Sequence, residues 1–212
     1  MKKYEKIETV FERDTNGTKK LIPGAYRDKT VEFLSNCDWE WTEKIDGTNI
    51  RVHWDGHDVE FGGRTDKSII PDALLDRLYE LFGGETNAQM FEQTFGDKDV
   101  ILFGEGYGYK IQGNGHLYLP DSVDFILFDV AIGENYLGRC AVNNIATIFG
   151  IKSVPTIFYG SIDKAVDYVK NNHHSTIGNA PMEGLVGRPR IEVRDRLGNR
   201  IIVKVKAIDF CN

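Results

Sequence analysis

The sequence is short of cysteine and of long apolar runs, and each shortage excludes a class of protein. It contains three cysteines in 212 residues, Cys37, Cys140 and Cys211, which are widely spaced and match no metal-ligand pattern. An odd number of cysteines without a signal peptide favours free thiols in a reducing compartment. No apolar stretch approaches the length of a membrane span. We therefore expect a cytoplasmic protein with no membrane partner.

Positive charge is also in the minority, with 26 Lys and Arg against 32 Asp and Glu and a net charge of -6. This balance argues against a protein that is basic throughout, which is typical of generic nucleic-acid binders. It leaves room for a local basic groove, because a binding site is built from a few residues. Internal repeats and low-complexity segments are absent as well, and 41% hydrophobic residues predict a folded core. At this length we expect a single domain, 1–212.

Glycine, in contrast, is abundant at 22 residues, which favours a sheet-rich fold with many turns. The chain is organised around residues 41–54. Polar and apolar residues alternate over 49–54, as in a half-buried strand, and Asp46-Gly47 predicts a tight turn before it. We expect residues 39–45 and 49–54 to form a hairpin with Lys44 beside its turn. A lysine at a strand end is either a solvated side chain or a covalent nucleophile.

The rest of the chain shows clear helix and strand patterns. Pro71 precedes an apolar stripe at helical spacing that ends at Gly83-Gly84. Helices are also expected near 87–95, over 139–149 and from Ser161 to about residue 172. The continuous apolar runs 100–103 and 125–130 predict strands buried on both faces. The final strand, 201–207, would place Lys204 and Lys206 on one face.

In this order the sequence resembles the covalent nucleotidyltransferases, the superfamily of polynucleotide ligases and mRNA capping enzymes. Lys44-Ile-Asp-Gly-Thr-Asn49 is similar to their motif I, whose lysine carries a nucleotide as a phosphoramidate. The similar elements that follow as motifs III, IIIa, IV and V are Phe103-Gly-Glu105, Phe125–Asp129, Glu183-Gly-Leu-Val186 and Lys204-Val-Lys206. The resemblance implies an α+β, ATP-grasp-like domain with twisted antiparallel sheets, flanking helices and a nucleotide cleft between two sheets.

The resemblance also implies the role of each site residue. Lys44 would carry AMP from ATP, Lys204 and Lys206 would contact the α-phosphate, and Glu183 would be the catalytic carboxylate near Mg²⁺ or Mn²⁺. The further nucleotide contacts that it implies are Glu43, Asn49, Arg64 (phosphate), Glu105 (ribose) and Phe128 (base stacking).

The chemistry explains why such residues belong together. An ordinary lysine, with a pKa of about 10.4, is protonated at neutral pH and does not attack phosphorus. Cationic Lys204 and Lys206 would disfavour the protonated form of Lys44 and neutralise charge on the α-phosphate. Taken alone, paired lysines on a strand are more often a solvated face or an edge guard, and a phenylalanine in an apolar run is more often core.

Two residues of motif I bear on the branch of the superfamily. Asn49 is similar to the RNA-ligase-2-like branch, which includes phage repair ligases, whereas DNA ligases and capping enzymes have Arg there. Asp46 stands where that branch often has His, which favours DNA ligases. The expected protein is a monomeric ATP-dependent RNA ligase, phage-encoded as one option, that seals RNA ends or a nicked duplex. The alternatives are a minimal DNA ligase, a capping guanylyltransferase, or a catalytically silent nucleotide- or end-binding module.

The sequence ends shortly after Lys206. We therefore expect a nucleotidyltransferase domain without the oligonucleotide-binding barrel that follows it in DNA ligases and capping enzymes.

Overall fold

The computed structural model describes residues 1–17 and 19–210, so Cys211 lies outside the described residues, while Cys37 and Cys140 are free thiols. The chain divides into two compact units. The first unit comprises Met1–Glu5 and Asp46–Val154, and the second comprises Lys6–Ile45 and the described residues from Pro155 onward. In the ranges given above, no helix is long and apolar enough to cross a membrane.

The described residues contain thirteen strands and six α-helices. The strands are β1 (Glu8–Thr9), β2 (Phe11–Arg13), β3 (Leu21–Tyr26), β4 (Trp39–Lys44), β5 (Thr48–Trp54), β6 (Val59–Gly63), β7 (Val100–Gly108), β8 (Val123–Ile132), β9 (Asn135–Tyr136), β10 (Lys152–Ser153), β11 (Thr156–Gly160), β12 (Gly184–Pro189) and β13 (Val203–Lys206). The helices are α1 (Lys29–Phe33), α2 (Asp72–Phe82), α3 (Gly84–Phe95), α4 (Gly115–Tyr118), α5 (Arg139–Ile148) and α6 (Ile162–Lys170).

The first unit contains a sheet of order β10-β8-β7-β5-β6, and the short strand β9 also pairs with β8, near its C-terminal end. Its neighbours are antiparallel except for β10 and β8. The apolar positions of β5 and β7 pack with the buried stripe of α2, Leu74, Leu78 and Phe82, in one core. The helix expected after Pro71 is therefore confirmed, and its burial follows the helical period of its leucines.

The second unit is a five-stranded sheet of order β1-β13-β12-β4-β11, with β2 and β3 as a separate pair. One face of this sheet packs Trp39 and Trp41 against the buried side of α6. The helix α6 begins where the sequence predicts, because the Ser161 hydroxyl accepts a hydrogen bond from the Lys164 backbone N–H at 3.3 Å.

The expected hairpin of residues 39–45 with 49–54 is wrong. Strand β4 pairs with β11 and β12, and β5 pairs with β6 and β7, so both edges of each strand are occupied by other partners. A hairpin of β4 with β5 would displace one partner strand from each of them, and buried backbone groups require such partners. The expected fold class is confirmed: helices flank mainly antiparallel sheets.

Candidate active site

Three adjacent strands of the second unit place the lysines of the predicted site near one another on one face of the sheet. Gly184 on β12 is paired with Lys44 on β4 and with Lys206 on β13. Two residues further along β12, Val186 is paired with Thr42 and with Lys204. Residues in register lie on the same face of a sheet, so Lys44, Lys204 and Lys206 share the face opposite to the tryptophans.

Gly184 is the residue that allows these strands to approach. Its φ is +153°, and a Cβ atom at this position would come within 2.1 Å of the Val205 carbonyl oxygen. No other residue type fits there without moving β13. Motif IV therefore needs a glycine at this position, because β12 and β13 pack closely there, next to Glu183.

Glu183, directly before β12, lies between two of the lysines. Lys44 Nζ donates to Glu183 Oε2 at 2.6 Å, and Lys206 Nζ lies 2.9 Å from Glu183 Oε1. The side chains of Lys44 and Glu183 are 25% and 15% exposed, so water screens this pair only in part. Each carboxylate oxygen thus holds one ammonium group, at charge-assisted distances.

The third lysine, Lys204, has a lowered pKa in this arrangement. Burial lowers the pKa of Lys204, and the positive charges of Lys44 and Lys206 lower it further. The register of the three strands places these ammonium groups in one region of the sheet face. Such a region favours a ligand that carries several negative charges.

Glu43 is placed differently from its neighbour Lys44. Successive residues of a strand point to opposite faces, and the Glu43 carboxylate is buried on the tryptophan side. It accepts hydrogen bonds from the Ser175 hydroxyl and from the backbone N–H and hydroxyl of Thr176, at 3.0 and 2.5 Å. In this structure Glu43 anchors residues 175–176, and its role as a nucleotide contact stays a prediction.

The remaining predicted contacts belong to the first unit. Asn49 and Glu105 are in register on β5 and β7. The Asn49 side-chain oxygen is buried and has no hydrogen-bond partner among the described residues. Gly47 lies close to this pair, because a Cβ there would meet Glu105 Cγ at 2.8 Å and the Gly106 carbonyl oxygen at 2.3 Å.

Phe128 and Arg64 lie elsewhere in the first unit. Phe128 is half-buried in a small apolar cluster, where its ring meets the ring of Tyr4 edge-on at 5.0 Å. The Tyr4 hydroxyl donates to Asp129 at 2.8 Å, which fixes this contact. Arg64 is exposed in the loop after β6.

Taken together, the structure brings Lys44, Glu183, Lys204 and Lys206 to one place in the second unit. Asn49, Arg64, Glu105 and Phe128 lie in the first unit. Sequence reasoning missed Ser175 and Thr176, which hold Glu43. No local pattern marks them, since the contact joins residues more than a hundred positions apart.

Comparison with known proteins identifies a matching protein family. The family model for RNA ligases matches residues 38–206, a span that contains every motif described above. No curated protein sequence matches the chain.

Solved structures of an RNA ligase from Naegleria gruberi are similar in fold. A substituted form without ligand has a TM-score of 0.63 at 20% identity, covering 96% of this chain and 56% of that one. A substituted form with ATP and Mn gives 0.64 at 19%, with 95% and 59% covered. The form with pyrophosphate gives 0.62 at 20%, with 96% and 61% covered. The chain therefore spans little more than half the length of these neighbours.

Proposed function

The chain belongs to the RNA ligase family, and from this premise we propose that it is an ATP-dependent RNA ligase with Lys44 as its nucleophile. The observation that carries the proposal is the contact of Lys44 Nζ with Glu183 Oε2 at 2.6 Å, inside a group of three lysines. An amine beside a proton acceptor and next to cationic side chains suits attack on a phosphate.

In the first step, Lys44 Nζ attacks the α-phosphorus of ATP. A nitrogen–phosphorus bond forms, the bond from the α-phosphorus to the bridging oxygen breaks, and pyrophosphate leaves. Glu183 Oε2 accepts the proton that the amine releases, since it already lies within hydrogen-bond distance. Lys204 and Lys206 stabilise the negative charge that develops on the α-phosphate oxygens.

A divalent metal would bind this site through one carboxylate and the phosphates of the nucleotide. No group of three or more His, Cys, Asp and Glu side chains suited to a metal occurs in the part of the chain described here. Mg²⁺ is commonly bound through one or two carboxylates together with substrate phosphates and water. Glu183 Oε1, the oxygen that does not accept from Lys44, would be such a ligand when Lys206 contacts the α-phosphate instead. Bound there with the nucleotide, Mg²⁺ or Mn²⁺ would neutralise phosphate charge. The Naegleria gruberi ligase solved with ATP and Mn supports this choice of metals.

The other nucleotide contacts are proposed from the resemblance, with support for two of them from the geometry of Asn49 and Glu105 within the first unit. The buried Asn49 oxygen without a partner would be satisfied by a donor of the ligand. Glu105, in register with Asn49, would accept hydrogen bonds from the ribose hydroxyls. Phe128 would stack on the base, and Arg64 would contact a phosphate.

Two further steps complete the proposed reaction. An oxygen of the 5′-phosphate of an RNA end attacks the phosphorus of the AMP on Lys44, the nitrogen–phosphorus bond breaks, and the Lys44 amine takes up a proton. The RNA end now carries AMP through a phosphoanhydride, which makes its 5′-phosphate a better electrophile. The 3′-hydroxyl then attacks the phosphorus of that 5′-phosphate and releases its proton to solvent, the bond to AMP breaks, and AMP leaves as the phosphodiester forms. We propose that the chain performs this chemistry as a monomeric nucleotidyltransferase domain in the cytoplasm.

The test is intact-protein mass spectrometry after incubation with ATP and Mg²⁺. Wild-type protein should gain the mass of one AMP, and Lys44→Arg, which keeps the charge but loses the nucleophile, should gain nothing. If the folded wild-type protein forms no adduct with ATP, GTP or NAD, the ligase proposal fails. The adenylylated protein is then mixed with nicked RNA and nicked DNA duplexes to decide between the two substrates.

A further inference from the structure

A run of arginines in the second unit takes no part in the chemistry above. Residues 188–200, here called the arginine segment, contain arginines at 188, 190, 194, 196 and 200 and acidic residues at 192 and 195 only. In the fold Arg188 pairs with Glu40 at 3.3 Å and Arg194 with Glu192 at 2.6 Å. The local surplus therefore rests mainly on the exposed Arg190 and Arg196, in a chain whose net charge is -6. An acidic protein that binds a polyanion needs such a local surplus.

The arginine segment is folded back on itself. The Asp195 carboxylate accepts hydrogen bonds from the backbone N–H groups of Leu197 and Asn199, both at 2.8 Å. Arg194 and Arg200 form an antiparallel bridge, and Val193 packs against the core of the second unit. A ligand would therefore meet a surface that is already ordered, and binding would cost little conformational entropy.

An exposed aromatic ring adjoins the arginine segment. The Arg190 guanidinium lies 5.1 Å from the ring centroid of Tyr159, and Tyr159 is 48% exposed. Arg190 also pairs with Asp38 at 3.1 Å, but both side chains are at least half exposed. Exposed ion pairs of this kind contribute little to the stability of a fold, so stability does not account for the arrangement.

The register of the sheet relates this surface to Lys44. Tyr159 and Arg188 are both paired with Glu40 on β4. Glu40 is four residues from Lys44 on the same strand, hence on the same face and about 13 Å away. A nucleic-acid strand whose end lies at Lys44 would reach this surface within a short length.

We propose that Tyr159 and the arginine segment form the contact surface for the RNA strand next to the end being sealed. The inference rests on the proposed function and names where its substrate binds. The arginines neutralise backbone phosphates, and an unpaired base stacks on Tyr159 beside Arg190. Arginine and an aromatic ring together are the usual means of holding single-stranded nucleic acid.

The test measures binding of a short 5′-phosphorylated, fluorescein-labelled single-stranded RNA by fluorescence anisotropy across a salt series. The double variant Arg190→Gln/Arg196→Gln should weaken binding roughly tenfold at low salt and reduce the salt slope by about 1.4, or about 0.7 for each lost phosphate contact. Tyr159→Leu should weaken binding by at least about fivefold at every salt concentration, without changing the slope.

The matched control is Lys29→Gln/Lys152→Gln, which removes two exposed positive charges elsewhere and should bind like wild type. All variants should take up AMP on Lys44 as wild type does. If Lys44 is adenylylated but the arginine and tyrosine variants bind RNA like wild type, or wild type binds no RNA, the surface is not an RNA site. Binding of an acidic peptide in place of RNA would likewise overturn the inference. Failure of adenylylation itself would instead refute the proposed function.

Discussion

Glu183→Gln is the substitution that tests the site most directly, because this carboxylate holds two of the three lysines. Its contacts are 2.6 Å to Lys44 and 2.9 Å to Lys206. Glutamine keeps the volume and removes the charge, so both ammonium groups lose their counter-ion. Lys204, whose pKa burial and these neighbours already lower, would then face an uncompensated positive cluster.

The loss of stability follows from the exposure of the three side chains. Breaking a buried ion pair by removing one partner costs about 3–5 kcal/mol, whereas an exposed pair contributes about 0–1 kcal/mol. Exposures of 25%, 15% and 31% for Lys44, Glu183 and Lys206 place this case between them. We expect a loss of about 2 kcal/mol, which corresponds to a fall in Tm of about 4–8 °C for a chain of this size.

The same substitution should slow adenylylation by about 10²–10⁴-fold, since the proton acceptor of Lys44 is lost. Urea denaturation measures the stability, and single-turnover mass spectrometry measures the rate. A double-mutant cycle with Lys44→Met should show coupling of about 1 kcal/mol between the two positions.

Glu134→Gln provides the control, because the Glu134 side chain is 90% exposed in its pair with Lys2. This variant should change stability by less than about 1 kcal/mol. If Glu183→Gln is as stable as wild type and takes up AMP at the wild-type rate, the role assigned to the Lys44–Glu183 contact is wrong.

Two further predictions concern the same sheet. Because folding lowers the pKa of Lys204 below its ordinary 10.5, the unfolded chain binds more protons just below pH 10.5, so this residue makes stability rise with pH across that window. Lys204→Met should remove that part of the rise, as measured by urea denaturation at a series of alkaline pH values; an unchanged pH profile would contradict it. Gly184→Ala should destabilise the protein by about 2 kcal/mol or more, because its Cβ would meet the Val205 carbonyl oxygen at 2.1 Å. The control for this variant is Gly138→Ala, whose Cβ meets nothing within 4 Å, and equal stability of the two variants would contradict the reasoning.

Local patterns predicted the elements whose burial is periodic. The leucine stripe that ends at Phe82 is confirmed as helix α2, and the alternation in 49–54 is confirmed as β5. Likewise, period 2 correctly placed Lys204 and Lys206 on one face of β13. These predictions succeed because one period of the backbone settles which side chains are buried.

Pairing between strands was the point at which sequence reasoning failed. Asp46-Gly47 is a good local turn signal, yet β4 pairs with β11 and β12 instead of β5. Every strand offers the same backbone donors and acceptors, whatever its sequence. The choice of a partner strand therefore has no local sequence signature.

The amino-acid sequence by itself determined the order of the motifs, the periodic elements and the identity of Lys44 as the candidate nucleophile. Only the tertiary structure decided that Glu183, 139 residues away, reaches Lys44, and that Ser175 and Thr176 are the partners of Glu43. The physical reason is that both contacts join parts of the chain that are far apart in sequence and that only strand pairing and packing bring together. Register depends on the packing of whole sheets, which no short stretch of sequence contains.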